Sequence, residues 1–141
     1  MKADEMFEGF EEANARYEEE ARERWGDSDA YKESSRRVRT YTKDDWKRFA
    51  AENEEAGRRW IALLRSGADP EGTAAMDLAE AARLQIERWF YPCPPAMHRG
   101  LADMYEQDPR FTATYEKMAT GMTAFVSAAI RANARRQEGL E

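Results

Sequence analysis

Apolar residues recur at three- and four-residue intervals along most of the chain, and no stretch alternates apolar and polar like a half-buried strand. The pattern predicts an all-α protein of about seven helices. Glu, Ala and Arg dominate from about Asp4 to Trp25, where Glu18–Arg22 and Glu20–Arg24 pair one turn apart and Gly26 stops the helix. Ser28 or Asp27 caps a short helix through Thr40. Thr42 caps the next, whose first turn holds the carboxylates of TKDD. This helix runs to Gly67 with Trp46, Phe49, Ala50, Asn53, Trp60, Leu63 and Leu64 near one face.

The loop ADPEG leads into a helix from Thr73 to about Phe90, with Met76, Ala79, Ile86, Trp89 and Phe90 at helical spacing. YPCPP must end it, because proline lacks the N–H that the ladder needs and restricts the residue before it. Pro94 or Pro95 suits the first turn of the following helix, which displays Met97, Leu101, Met104 and Tyr105 and stops before Asp108-Pro109. A sixth helix carries Phe111, Tyr115 and Met118. After Gly121 a seventh carries Met122, Phe125, Val126, Ala129 and Ile130.

The 141 residues suit one domain. Residues 1–45 contain a single Leu, Ile or Val, namely Val38, too little to bury much alone. They are expected to form a mobile arm or lid over a body spanning residues 46–138, with Trp25 and Tyr31 facing the ligand side. Leu, Ile and Val are sparse in the body too, and along the whole chain seven Met, four Trp and six Tyr partly replace them. Such side chains adapt their shape and keep polar tips, so they line ligand sites as readily as dry interiors.

Charge narrows the partners. The net charge is −6, and the first 25 residues hold nine acidic against four basic side chains. Direct nucleic-acid contact is not expected: Arg36, Arg37 and Arg39 lack interleaved stacking aromatics and read as a solvated helix end. No run reaches the length of a membrane span, and the acidic start MKADEMFEGFEE lacks the features of a secretory signal, so a cytoplasmic location is expected. A single cysteine agrees with a reducing compartment.

The candidate chemistry lies in YPCPPAMH, residues 91–98. Cys93 stands just ahead of a helix start, where amide N–H groups and the helix dipole stabilise a thiolate, and His98 lies five residues on as a proton partner. The alternative is a small buried Cys93 and a hydrogen-bonded surface His98. No third residue orients a Cys-His hydrolase, and one His with one Cys does not make a metal site, so no enzyme, metal or cofactor is expected. A haem globin with His98 as proximal ligand is a further alternative.

Four strings carry a family resemblance: YEEEARERWGDSDAYKES (17–34), YTKDDW (41–46), ERWFYPCPPAMHRGLADMYEQDPRF (87–111) and AAIRANA (128–134). Together they resemble the TipAS domain, the antibiotic-recognition domain of MerR-type regulators. The resemblance implies a globin-like helical fold whose cleft holds a thiopeptide or another bulky antibiotic. It implies a reactive cysteine at Cys93 that adds to a dehydroalanine. Ligand contacts are expected from Trp89, Tyr91, Cys93, Met97, His98, Leu101, Tyr105, Phe111 and Tyr115. The chain departs from the family pattern at Ala82, where members often carry histidine. It shows no helix-turn-helix segment, which leaves two expectations: a short form that sequesters drug, or an effector domain separated from its DNA-binding module.

Overall fold

A computed structural model describes residues 28–139, and these form six helices with no strand among them. The helix expected over Asp4 to Trp25 lies outside the described residues. We label the helices α1 (Asp29–Val38), α2 (Lys43–Arg65), α3 (Thr73–Trp89), α4 (Pro95–Gln107), α5 (Pro109–Met118) and α6 (Met122–Gln137). The described residues divide into two compact units, residues 28–54 with 88–92, and residues 55–87 with 93–139.

In the first unit, helix starts follow local hydrogen bonding. Ser28 Oγ accepts from the Tyr31 N–H at 3.1 Å and caps α1. Glu33 then binds Arg36 and Arg37 at 2.8 and 2.7 Å, and these two partners pull its carboxyl down to about 2. At α2 the capping is reciprocal: Thr42 Oγ1 accepts from the Asp45 N–H at 3.2 Å, and Asp45 Oδ2 accepts from the Thr42 N–H at 2.8 Å. The interior is aromatic, with Phe49 ringed by Trp46, Trp89 and Phe90 at centroid distances of 5.9, 5.2 and 5.3 Å.

The second unit is built around α6. Met122, Phe125, Val126, Ala129, Ile130, Ala132 and Ala134 are all buried, as are Thr123, Ser127 and Asn133, so this helix is enclosed on nearly every side. Trp60 of α2, Ala75, Leu78 and Ala79 of α3, and Ala102 of α4 complete the same core. Trp60 meets Phe125 edge to face at 6.1 Å. Alanines at these contacts bring helix axes close, and α4 packs on both α5 and α6.

The joints between α4, α5 and α6 are tied by carboxylates. Asp108 accepts from the Arg110 N–H at 3.0 Å, with Pro109 in the first turn of α5. At α6 the capping position is Gly121, whose φ of 89° only glycine adopts without strain and which has no side chain to cap with. Glu116 reaches over from α5 instead and accepts from the Gly121 N–H, the Thr123 N–H and the Thr123 hydroxyl at 2.9, 2.9 and 2.7 Å.

Candidate functional site

The proline-rich turn forms as its sequence dictates. Helix α3 ends at Trp89, Pro94 takes the N-cap position with φ −60° and ψ 160°, and Pro95 opens α4. Cys93 stands between two prolines and is wholly inaccessible. Its N–H donates to Glu87 Oε1 at 3.4 Å, and its carbonyl accepts from Arg83 Nη1 at 2.9 Å. Arg83 also binds Glu80 at 2.6 Å and Glu87 at 3.3 Å.

This burial agrees with the alternative reading, a small buried Cys93, and opposes the stabilised thiolate. The helix start does lie beside Cys93, but removing an anion from water outweighs the dipole, and burial pushes the thiol up to about 11. Arg83 opposes that rise and Glu87 adds to it. Free Cys93 is therefore a protonated, enclosed thiol at neutral pH. His98 is 1% exposed, so it is not the surface histidine of the alternative reading. Its backbone N–H donates to the Pro94 carbonyl at 3.1 Å, while Nδ1 has no hydrogen-bond partner among the described residues. Burial, reinforced by Arg83, lowers the imidazole to about 4, so it stays neutral.

The expected contact residues on α4 and α5 come together. Met97, Leu101 and Tyr105 follow one another at four-residue spacing along one face of α4. Tyr105 continues into Phe111 and Tyr115 of α5 at 5.2 and 5.4 Å between ring centroids. None of these five side chains is fully buried, and Met97 is 37% exposed, whereas His98 and Ala102 on the adjoining face are sealed.

Trp89 and Tyr91 belong to the first unit. Trp89 is buried against Tyr41 and Phe49, and its indole N–H donates to Glu52 at 3.1 Å. Glu52 also holds Arg88 at 3.0 Å, and the Tyr41 hydroxyl donates to the Trp89 carbonyl. Tyr91 is half-buried. Of the two residues expected on a lid, Tyr31 sits half-buried on α1, and Trp25 lies outside the described residues. Sequence reasoning missed Arg83 and Glu87, which bond to the Cys93 main chain, and Glu80 and Asn133, which support Arg83 in turn. The available signal was Arg83 and Glu87 one turn apart just before a proline break.

An open groove of about 550 Å³ runs between α2 and α3, lined by Leu63, Leu78, Ala62 and Arg59 among others, and includes none of the expected contact residues. Among the described residues, no group of three or more His, Cys, Asp or Glu is placed to hold a metal ion. Nor is any described helix long and apolar enough to cross a membrane.

The sequence profile of the TipAS antibiotic-recognition domain matches residues 17–133, a span that takes in the cysteine turn and the whole aromatic stripe. The chain belongs to the TipAS family. It is 42% identical over 134 residues to the HTH-type transcriptional activator TipA of Streptomyces coelicolor, covering 94% of this chain and 53% of that protein. With the HTH-type transcriptional activator mta of Bacillus subtilis it shares 31% identity over 121 residues, 86% of this chain and 46% of the relative. This TipAS domain thus spans about half the length of these curated relatives.

Two solved structures are similar. The complex of nosiheptide with TipAS, from a thiopeptide antibiotic multidrug resistance system of Streptomyces lividans, superposes with a TM-score of 0.81 at 43% identity, covering 87% of this chain and 86% of that one. The antibiotic binding domain of a TipA-class multidrug resistance transcriptional regulator gives 0.60 at 39% identity, over 65% of this chain and 98% of the other.

Proposed function

We propose that this TipAS domain binds a thiopeptide or similarly bulky antibiotic on the stripe formed by Met97, Leu101, Tyr105, Phe111 and Tyr115, for drug sensing or sequestration. The observation that carries the proposal is that stripe: five large apolar side chains held half-open beside a sealed core. Aromatic rings and thioethers provide broad contact area at small entropic cost and adapt to irregular macrocycles. The similarity to a nosiheptide-bound TipAS supports the ligand class.

Covalent capture at Cys93 is the second part of the proposal. The sulfur adds to the β-carbon of a dehydroalanine, the double-bond electron pair moves to the α-carbon, and that carbon takes up a proton equivalent to the one the thiol lost. A thioether results. Titration with a thiopeptide, read by tryptophan fluorescence and by intact mass, tests both parts. Tyr105→Ala is expected to weaken binding at least tenfold, and Cys93→Ser to abolish the adduct while sparing reversible binding. Absence of binding across a panel of thiopeptides overturns the first part. An unmodified mass under demonstrated saturation overturns the second.

A related reading is that the domain transmits ligand binding to a MerR-type DNA-binding module. Its support is that the relatives are HTH-type regulators about twice as long. An in-frame helix-turn-helix encoded upstream supports this reading, and an independent start codon supports sequestration. Family membership favours either over a haem globin.

A further inference from the structure

Cys93 is fully covered although it lies in a turn, where backbone polar groups ordinarily face water. Side chains, not a backbone ladder, hold its main chain. Glu87 accepts its N–H at 3.4 Å and Arg83 donates to its carbonyl at 2.9 Å. Arg83 and Glu87 lie one turn apart on α3 and pair with each other at 3.3 Å, so three residues close a ring. The far edge of the Arg83 guanidinium is occupied by Glu80 at 2.6 and 2.8 Å. Glu80 in turn accepts from Asn133 Nδ2 of α6 at 3.0 Å. The ring is thereby anchored on two helices, with the Arg83 side chain only 13% exposed.

We propose that Arg83 and Glu87 are positioning residues that clasp the Cys93 turn, and that release of this clasp, rather than unfolding of the domain, delivers the thiol to an incoming electrophile. This deepens the reading of Cys93 as the capturing group. Release breaks one charge-assisted hydrogen bond and one long neutral-donor bond, while the Arg83–Glu80 pair stays intact. It therefore costs far less than disrupting the core around α6. The guanidinium left beside the freed sulfur then favours the thiolate, so the group that fastens the turn also readies the nucleophile. Closed, the thiol is shielded from adventitious electrophiles. A ligand that binds the neighbouring stripe has time to meet the open form.

The test needs no antibiotic, so it stands apart from ligand identity. Because Cys93 is the single cysteine, thiol modification by N-ethylmaleimide of the full chain reports on it alone, and Cys93→Ser treated in parallel gives the amine adducts to subtract at high pH. Modification is followed by intact mass between pH 6 and 9 and in urea below the unfolding transition. In the wild type the rate is expected to be slow and nearly independent of low urea, because the clasp exposes little surface when it opens. Arg83→Met is expected to raise the rate about tenfold at pH 9, the factor associated with losing one charge-assisted hydrogen bond. The gain should be smaller at pH 7, because the opened thiol ionises later without its cation. Glu87→Ala, at the more exposed end of the ring, is expected to accelerate modification at both pH values.

The core variant Ile130→Val, which lowers stability without touching the ring, should leave the low-urea rate unchanged. A wild-type rate that tracks global unfolding down to zero urea overturns the proposal without recourse to any variant. So does a Glu87→Ala rate no faster than that of Ile130→Val.

Discussion

Lowering the pH from 7.5 to 5.5 should destabilise this domain through one side chain. His98 is the only histidine in the sequence, and its folded value of about 4 lies below the ordinary 6.5. The unfolded chain therefore binds more protons in this window, and stability is complete above about pH 6.5 and falls as the pH drops toward 4. At pH 5.5 the unfolded imidazole is about ten parts protonated to one neutral, while the buried one is almost wholly neutral. That ratio corresponds to about 1.4 kcal/mol, rising to about 2 kcal/mol at pH 5. The carboxyls held low, among them Glu33, Glu80 and Glu116, lose their stabilising effect only at more acid pH, so they do not mask it. Urea unfolding of wild type and His98→Gln, followed by tryptophan fluorescence at pH 7.5, 6.5 and 5.5, gives the difference directly. The wild type should lose stability across the series and the variant should not. Parallel curves for the two proteins would show that the imidazole takes up its proton without cost, which contradicts a sealed, neutral His98.

Three further outcomes follow from the core and the caps. Ile130→Ala removes a fully buried side chain in the α6 core and should cost about 2–5 kcal/mol by urea unfolding. Gly121→Ala should cost about 1 kcal/mol from backbone strain alone, because φ is +89° while an added Cβ meets nothing within 4 Å, and thermal melts check it. Thr42→Ala deletes the acceptor for the Asp45 N–H at the start of α2 and should lower stability by about 1 kcal/mol, with hydrogen exchange accelerated in the first turn.

Helix boundaries were legible wherever the terminus is chemically marked. Thr42, Pro95, Asp108-Pro109 and Gly121 each lie at the start of an observed helix, because capping and proline placement depend on a few adjacent residues. The α6 core was legible as well: Met122, Phe125, Val126, Ala129 and Ile130 are all buried. On α3 spacing was a poorer guide. Ala79 and Trp89 are buried as expected, but Ala75 and Leu78 carry the remaining core contacts while Met76 and Ile86 are half-covered, because alanine gives too weak a signal to fix the phase of a helix. At the site, the stripe from Met97 to Tyr115 could be read from apolar spacing and the family strings. The ionisation of Cys93 could not. A helix start is a local property, whereas the burial that overrides it is set by the fold, which brings Arg83 and Glu87 of α3 onto the Cys93 main chain. Arg83 and Glu87 likewise look like an ordinary surface pair until the fold returns Cys93 to them.

The buried alanines of α6 and of the helices packed on it set an asymmetry in what this domain can become. Ala75, Ala79, Ala102, Ala129, Ala132 and Ala134 have almost no accessible surface, and each offers a single methyl group to lose. Added volume has nowhere to go, since even one extra methylene in a close-packed helix contact typically forces shifts costing about 1–3 kcal/mol. Diversification by growth of side chains is thereby closed to the interior and left to the half-open positions, Met97, Leu101 and Tyr105 among them, where a change in size alters the surface before it threatens the fold.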